Sequence, residues 1–311
     1  MNEIVEQALP LWGLSGSDYH LIAARENEVF RVATAQGGVA MRLHRKGYRT
    51  DQELRSELAW MTAVEKGGIN VPAPVPSASG EMLHVVGGVQ ADVLTWLNGV
   101  SVMKRFETLD EKGRAELFHG VGRQLAGLHN IIDAWIPPAW FTRCAWDRDG
   151  LLGDAPLWGR FWENPLLEDE DRQLFVEMRR AATADLQCLE SSLDYGLIHA
   201  DLVSENVMID ENRIQLIDFD DGGFGFRMFE IATALVKYRN ERDFPALKVA
   251  LTKGYQSVRP IDLAQLDLFM AIRAATYVGW NIERINEDGA EKRNARLITD
   301  ARDLARAYLG K

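Results

Sequence analysis

One stretch limits what this chain can become more than any other. Residues 195–219 read as strand, loop, strand, turn, strand, with apolar runs that end where polar residues gather. Leu197-Ile198 leads into His199-Ala200-Asp201, and Asn206 opens the run Val207-Met208-Ile209. Asp210-Glu211-Asn212 is a hairpin turn. The return run Ile214–Ile217 then ends on Asp218-Phe219-Asp220-Asp221-Gly222. His199, Asp201 and Asn206 form the pattern H-x-D-x-x-x-x-N, and Asp218 stands at the end of the next strand.

Phosphoryl transfer calls for this set of residue types. The reacting hydroxyl needs a carboxylate to orient it and take its proton, and a triphosphate needs Mg²⁺ held by hard oxygen ligands. Asp201 fits the first role. Asn206 and Asp218 fit the second, one amide oxygen and one carboxylate on strand ends. His199 is expected to hold the loop backbone instead of acting as an acid or base.

Composition narrows the setting. The 311 residues include 46 acidic and 35 basic side chains, a net charge of −11, with 47% apolar and 26% charged residues. Those proportions suit a folded soluble chain, and its length favours two domains or lobes. The acidic balance argues against nucleic acid as a partner. No apolar run approaches the roughly 20 residues that span a bilayer, and the start, Met1-Asn2-Glu3-Ile4-Val5-Glu6, lacks the pattern of a signal peptide. Cys144 and Cys188 are the two cysteines and form neither a disulfide framework nor a zinc knuckle. A reducing cytoplasm is the expected compartment.

The first hundred residues differ from the rest. Short β-like runs cover Glu28–Ala33, Val39–Leu43, Met82–Val86 and Gln90–Leu94. A helix is expected over Asp51–Lys66, with Leu54, Leu58 and Met61 on one stripe and Gly67-Gly68 to stop it. Val71–Pro76, with proline at alternate positions, must be extended. Beyond about residue 100 the pattern turns helical, over Leu109–His129, again near 169–191, and from Phe229 onward. Glu168-Asp169-Glu170-Asp171 reads as a solvated helix start.

The motif block resembles the catalytic core of the aminoglycoside phosphotransferase family, which includes choline kinases, type II homoserine kinases and a bacterial stress-response kinase. The resemblance implies an α+β, bilobed protein-kinase-like fold: a β-rich N-terminal lobe with one main helix over 1–97, a hinge at about 93–98, and a mainly helical catalytic and acceptor-binding lobe over 98–311. It implies ATP and Mg²⁺ as cofactors and a small-molecule hydroxyl, on an amino alcohol, aminoglycoside or sugar-like acceptor, as the group phosphorylated. A Ser/Thr protein kinase and a non-catalytic nucleotide-binding module are the alternatives.

Other motifs find their place through that resemblance. Val39-Ala40-Met41-Arg42 stands where kinase-like folds carry V-A-I-K, so Arg42 is expected at the phosphates in place of lysine, or else is a surface strand residue. Glu57 resembles the helix glutamate that pairs with that cation, with Glu53 as the alternative. The backbone around Val93, Thr95 and Leu97 is expected to meet adenine. No G-x-G-x-x-G covers the phosphates. Glu230 opens a helix, where the helix dipole alone could explain it. Asp220, Trp158, Trp162 and Glu283 are candidates for the acceptor side, because aromatic faces beside carboxylates suit a cationic amine. The other reading of the tryptophans is core packing.

Overall fold

A computed structural model of the chain describes residues 2–24 and 27–311. In chain order the elements are α1 (Asn2–Ala8), β1 (Tyr19–Ala24), β2 (Asn27–Val32), β3 (Val39–His44), α2 (Asp51–Lys66), β4 (Leu83–Val86), β5 (Val89–Thr95), β6 (Val100–Ser101), α3 (Val102–Glu107), α4 (Glu111–Ala134), β7 (Ala145–Trp146), α5 (Arg148–Leu152), α6 (Asp169–Leu189), β8 (Tyr195–Ile198), β9 (Val207–Asp210), β10 (Arg213–Leu216), β11 (Gly223–Phe226), α7 (Arg227–Val236), α8 (Phe244–Gln256), α9 (Leu266–Trp280) and α10 (Ala290–Leu309). They form two compact units. One takes Met1–Arg105, Asn130–Arg143 and Glu205–Asp220; the other takes Phe106–His129, Cys144–Ser204 and Asp221–Lys311.

The first unit is built on a five-stranded antiparallel sheet of order β1-β2-β3-β5-β4. Strand β3 is central and is buried along nearly its whole length. Alternation divides its side chains between two faces. Met41 and Leu43 enter an apolar cluster with Val5, Leu9, Phe30 and Val93. Arg42 and His44 take the other face, and Arg42 lies directly across from Asp92 on β5. A charged pair at a directly opposed position is close enough to bond.

Helix α2 starts at a capping box. Thr50 Oγ1 accepts from the Glu53 N–H, and the Glu53 carboxylate accepts from Thr50 N–H at 2.8 Å. Glu53 is thereby committed to the cap, and Glu57, one turn on, is fully buried. Beyond β5, Gly99 has φ +128°, and a Cβ there would stand 2.4 Å from the Ile209 carbonyl oxygen. That close approach lets β6 pair with β9, which pairs in turn with β10.

The second unit carries a smaller sheet, β7-β11-β8, amid helices. Helix α7 is buried at every position, and α9 at nearly every one. Two arginines, Arg227 and Arg273, are fully buried among these apolar helices. Arg227 donates to the Leu197 carbonyl at the end of β8.

Candidate active site

In the first unit, Arg42 is gripped on three sides. Its Nε and Nη2 donate to the two oxygens of Asp92, both at 2.8 Å, and Nη1 donates to Glu57 Oε1 at 2.7 Å. A planar guanidinium meets a carboxylate in this bidentate way, which an ammonium cannot copy. His44 Nε2 also bonds Asp92, at 2.7 Å. Burial favours the neutral acids, but Arg42 and His44 outweigh it and hold the Asp92 carboxyl well below the usual carboxylate range. Glu57 is likewise lowered: burial is outweighed by Arg42, Arg143 and His44. Burial would weaken the Arg42 cation, and its two carboxylates more than restore it.

Arg143 continues the network. Nη1 lies 3.6 Å from Glu57 Oε2 and 3.3 Å from the Glu53 carbonyl. Nη2 donates to the carbonyls of Phe219, at 3.0 Å, and of Asp220. Arg49 donates to the same Asp220 carbonyl at 3.0 Å and approaches its carboxylate at 3.5 Å. Asp220, 5% exposed, is therefore a partner of arginines from two segments.

The β9–β10 hairpin sets Asn206 and Asp218 at one end. Val207 pairs with Leu216, and Ile217 N–H donates to the Asn206 carbonyl at 3.0 Å. Asp218 has φ +68°, a conformation rarely adopted by a residue with a Cβ. Its side chain is exposed where the strand ends. An amide oxygen and a carboxylate are hard donors suited to Mg²⁺, with phosphate oxygens and water as the remaining ligands. Among the described residues no group of three or more His, Cys, Asp or Glu is placed to hold a metal ion. The donor set fits the metal that the motif implies.

In the second unit, Asp201 follows Ala200, whose φ is +64°. That strained turn is held by Glu230, whose carboxylate accepts from the N–H groups of His199 and Ala200, both at 3.0 Å. Glu230 also bonds His129 Nε2 at 2.9 Å, and His129 Nδ1 bonds the Tyr255 hydroxyl at 2.7 Å. Burial pushes the Glu230 carboxyl up to about 7, against the pull of the His199 N–H and Arg227. Burial keeps His129 well below its usual value, hence neutral, with Nε2–H donating to Glu230. Asp201 itself bonds Arg273 Nη2 at 2.6 Å, its side chain 23% exposed. Burial raises its carboxyl above the ordinary range, with Arg273 opposing.

The remaining expected residues fall in varied places. The Val93 carbonyl accepts from Val75 N–H and the Thr95 N–H donates to the Ala73 carbonyl, each at 2.8 Å. Both are committed to the extended proline segment, whereas Leu97 lies beyond the end of β5. The ring of Trp158 has the Arg273 guanidinium 4.4 Å from its centre. That of Trp162, 8% exposed, carries Arg179 at 3.9 Å. Glu283 is exposed on a short turn after α9. Sequence reasoning missed Asp92, Arg143 and Arg273. Asp92 and Arg273 each interrupt an apolar run, and a charge inside such a run requires a partner; Arg143 carries no such signal.

These features define a kinase-like phosphotransferase. Solved structures agree on the fold: a microcompartment-associated aminopropanol kinase superposes with a TM-score of 0.86 over 100% of this chain and 98% of its own, at 25% identity. An amicoumacin kinase, solved with AMP-PNP, Ca²⁺ and Ami, follows at a TM-score of 0.78 and 18% identity, over 97% and 93% of the two chains. A homoserine kinase of Gluconobacter oxydans is 31% identical over 252 residues, covering 77% of this chain and 72% of that protein. Residues 18–269 match the model of the phosphotransferase enzyme family, APH, and the chain belongs to that family. This chain is thus a phosphotransferase, and the homoserine kinase and aminopropanol kinase it resembles are named for small-molecule alcohols. Among the described residues no helix is long and apolar enough to cross a membrane.

Proposed function

We propose that this protein transfers the γ-phosphoryl group of ATP, with Mg²⁺, to the hydroxyl of a small amino alcohol. The observation that carries this reading is the hairpin that sets Asn206 and Asp218 at one end, five residues after Asp201. Homoserine and aminopropanol, for which two of the similar proteins are named, each carry an amine and a hydroxyl on a short chain.

Asp201 orients the acceptor hydroxyl and takes its proton as the new O–P bond forms and the bond to the β-phosphate oxygen breaks. Glu230 fixes the backbone on which Asp201 stands. Asn206 and Asp218 would hold the metal, which when bound neutralises phosphate charge. Arg42, kept in place by Asp92 and Glu57, directs its cation toward the phosphates, and its firm pairing fixes where that charge lies. Leu97, past the end of β5, offers its backbone to adenine, a role for which Val93 and Thr95 are less suited because their groups named above are engaged.

The test is ADP release with Mg-ATP over a panel of homoserine, aminopropanol, ethanolamine, choline, aminoglycosides and sugars, with the phosphorylated product identified by mass. The proposal expects an amino alcohol to raise turnover at least tenfold above the rate without acceptor. A panel on which no acceptor exceeds the Asp201→Ala background contradicts it.

A further inference from the structure

Arg273 is an expensive residue to place where it is. It lies in the middle of α9, flanked by Phe269, Met270, Ile272 and Ala274, and is fully buried. Three aromatic rings enclose its guanidinium: Tyr277 at 4.3 Å, Trp158 at 4.4 Å and Phe229 at 5.2 Å. Nη2 bonds Asp201 Oδ1 at 2.6 Å and the Tyr277 hydroxyl at 3.0 Å. Nε and Nη1 are buried with no hydrogen-bond partner among the described residues.

A guanidinium carries five N–H donors, and burying one costs free energy unless they are used. As a strut between helices it is poorly used here, since an apolar side chain of similar size would fill the space without that cost. As a guide for one carboxylate it makes sense. The ring faces restrict the guanidinium plane, by cation–π attraction, and the restricted plane presents Nη2 to Oδ1. The charge-assisted bond then limits the rotation of Asp201.

We propose that Arg273 is a positioning residue for phosphoryl transfer, holding the Asp201 carboxylate in the orientation from which it meets the acceptor hydroxyl. This rests on Asp201 being the base, as proposed above. The face of Trp158 thereby belongs to the enzyme's own cation and is not the surface that selects an acceptor amine.

The experiment measures kcat and the KM for ATP of Arg273→Met, Arg273→Lys and Arg273→Ala, using the panel acceptor that gives the fastest ADP release. Nucleotide binding is read separately by the thermal shift with Mg-AMP-PNP. Arg273→Met is expected to lose about 100-fold in kcat, the scale of a misoriented catalytic group, with the KM for ATP and the thermal shift within about twofold of wild type. Lysine keeps the charge but cannot stack flat, so Arg273→Lys should lose about tenfold. Millimolar guanidinium should restore Arg273→Ala at least tenfold by entering the ring-walled space, which a merely structural role would not produce.

A folded Arg273→Met with kcat within threefold of wild type overturns the proposal, as does a loss of kcat matched by an equal rise in the KM for ATP. If Arg273→Met does not fold, Arg273→Lys decides: wild-type kcat refutes, and a tenfold loss at unchanged KM supports. Asp201→Asn is run alongside. If it keeps wild-type kcat, the assignment of the base fails; if it is inactive while the Arg273 variants are not, the role of Arg273 alone fails.

Discussion

Among the buried arginines that hold carboxylates, Arg42 and Arg273 do so in opposite ways. Arg42 is shared by two acids, Asp92 and Glu57, and both are pulled below their ordinary range. Arg273 faces one carboxylate oxygen of Asp201, and there burial prevails and the acid is raised. The first arrangement is an ion-pair cluster that stays charged at any physiological pH, as suits residues that fix phosphates. The second keeps a carboxylate whose proton can come and go, as suits a base. The surrounding charge, set against the cost of burial, separates the two: Arg42, Arg143 and His44 lie around Glu57, whereas Asp221 adds its repulsion at Asp201.

The largest effect should come from breaking the first cluster. Asp92→Asn removes a bidentate partner and leaves Arg42 under-compensated in a buried site, so it should destabilise the protein by about 3–5 kcal/mol. Chemical denaturation checks this, and a loss below about 1 kcal/mol would mean that the cluster is far more hydrated than its burial indicates. Next comes Glu230→Gln, which cannot supply acceptors for both loop N–H groups and His129 together. A buried donor left unpaired should cost about 1–3 kcal/mol, and the loosened Asp201 loop should lower kcat with little change in the KM for ATP.

The two clusters also differ in sign with pH. Asp92, lowered, contributes stability above the ordinary carboxylate value that is lost on strong acidification. Glu230, raised, contributes stability present in full below 4.5 and lost as pH rises through about 7. The difference in Tm between wild type and Glu230→Gln should therefore shrink between about pH 5.5 and pH 8.5. A difference constant over that range contradicts the assignment. The smallest effect belongs to Arg213→Ala. Its pair with Asp210 at the hairpin turn is 64% exposed on the arginine side, and its loss should change stability by less than about 0.5 kcal/mol.

The sequence made the local parts of this site legible. The 3.6-residue stripe marked α2 with its ends, Asp51 and Lys66, in place, and the apolar runs on either side of the Asp210-Glu211-Asn212 turn marked the β9–β10 hairpin. Asp201, Asn206 and Asp218 stood out because their spacing is short and their residue types are uncommon together. Strand β11 was not legible, because Gly-Phe-Gly-Phe offers two glycines where side chains would show alternation. Nor was β1, exposed along most of its length. The long-range partners were harder still. Arg42 meets Asp92 across fifty residues and Asp201 meets Arg273 across seventy-two, separations at which no periodicity links one residue to another. The tryptophans were visible as a group, but not the arginines that three of them carry, Arg273 on Trp158, Arg179 on Trp162 and Arg284 on Trp280.

The central claim is that Asp201 serves the chemistry while the Arg42 cluster serves the nucleotide. It is tested most directly by measuring both properties on Asp201→Asn, as kcat for ADP release and as the thermal shift with Mg-AMP-PNP. The account predicts a kcat at least about 1,000-fold below wild type, within the range for loss of a general base, and an unchanged nucleotide shift. An Asp201→Asn enzyme with kcat within threefold of wild type, or one that no longer binds the nucleotide, would contradict it.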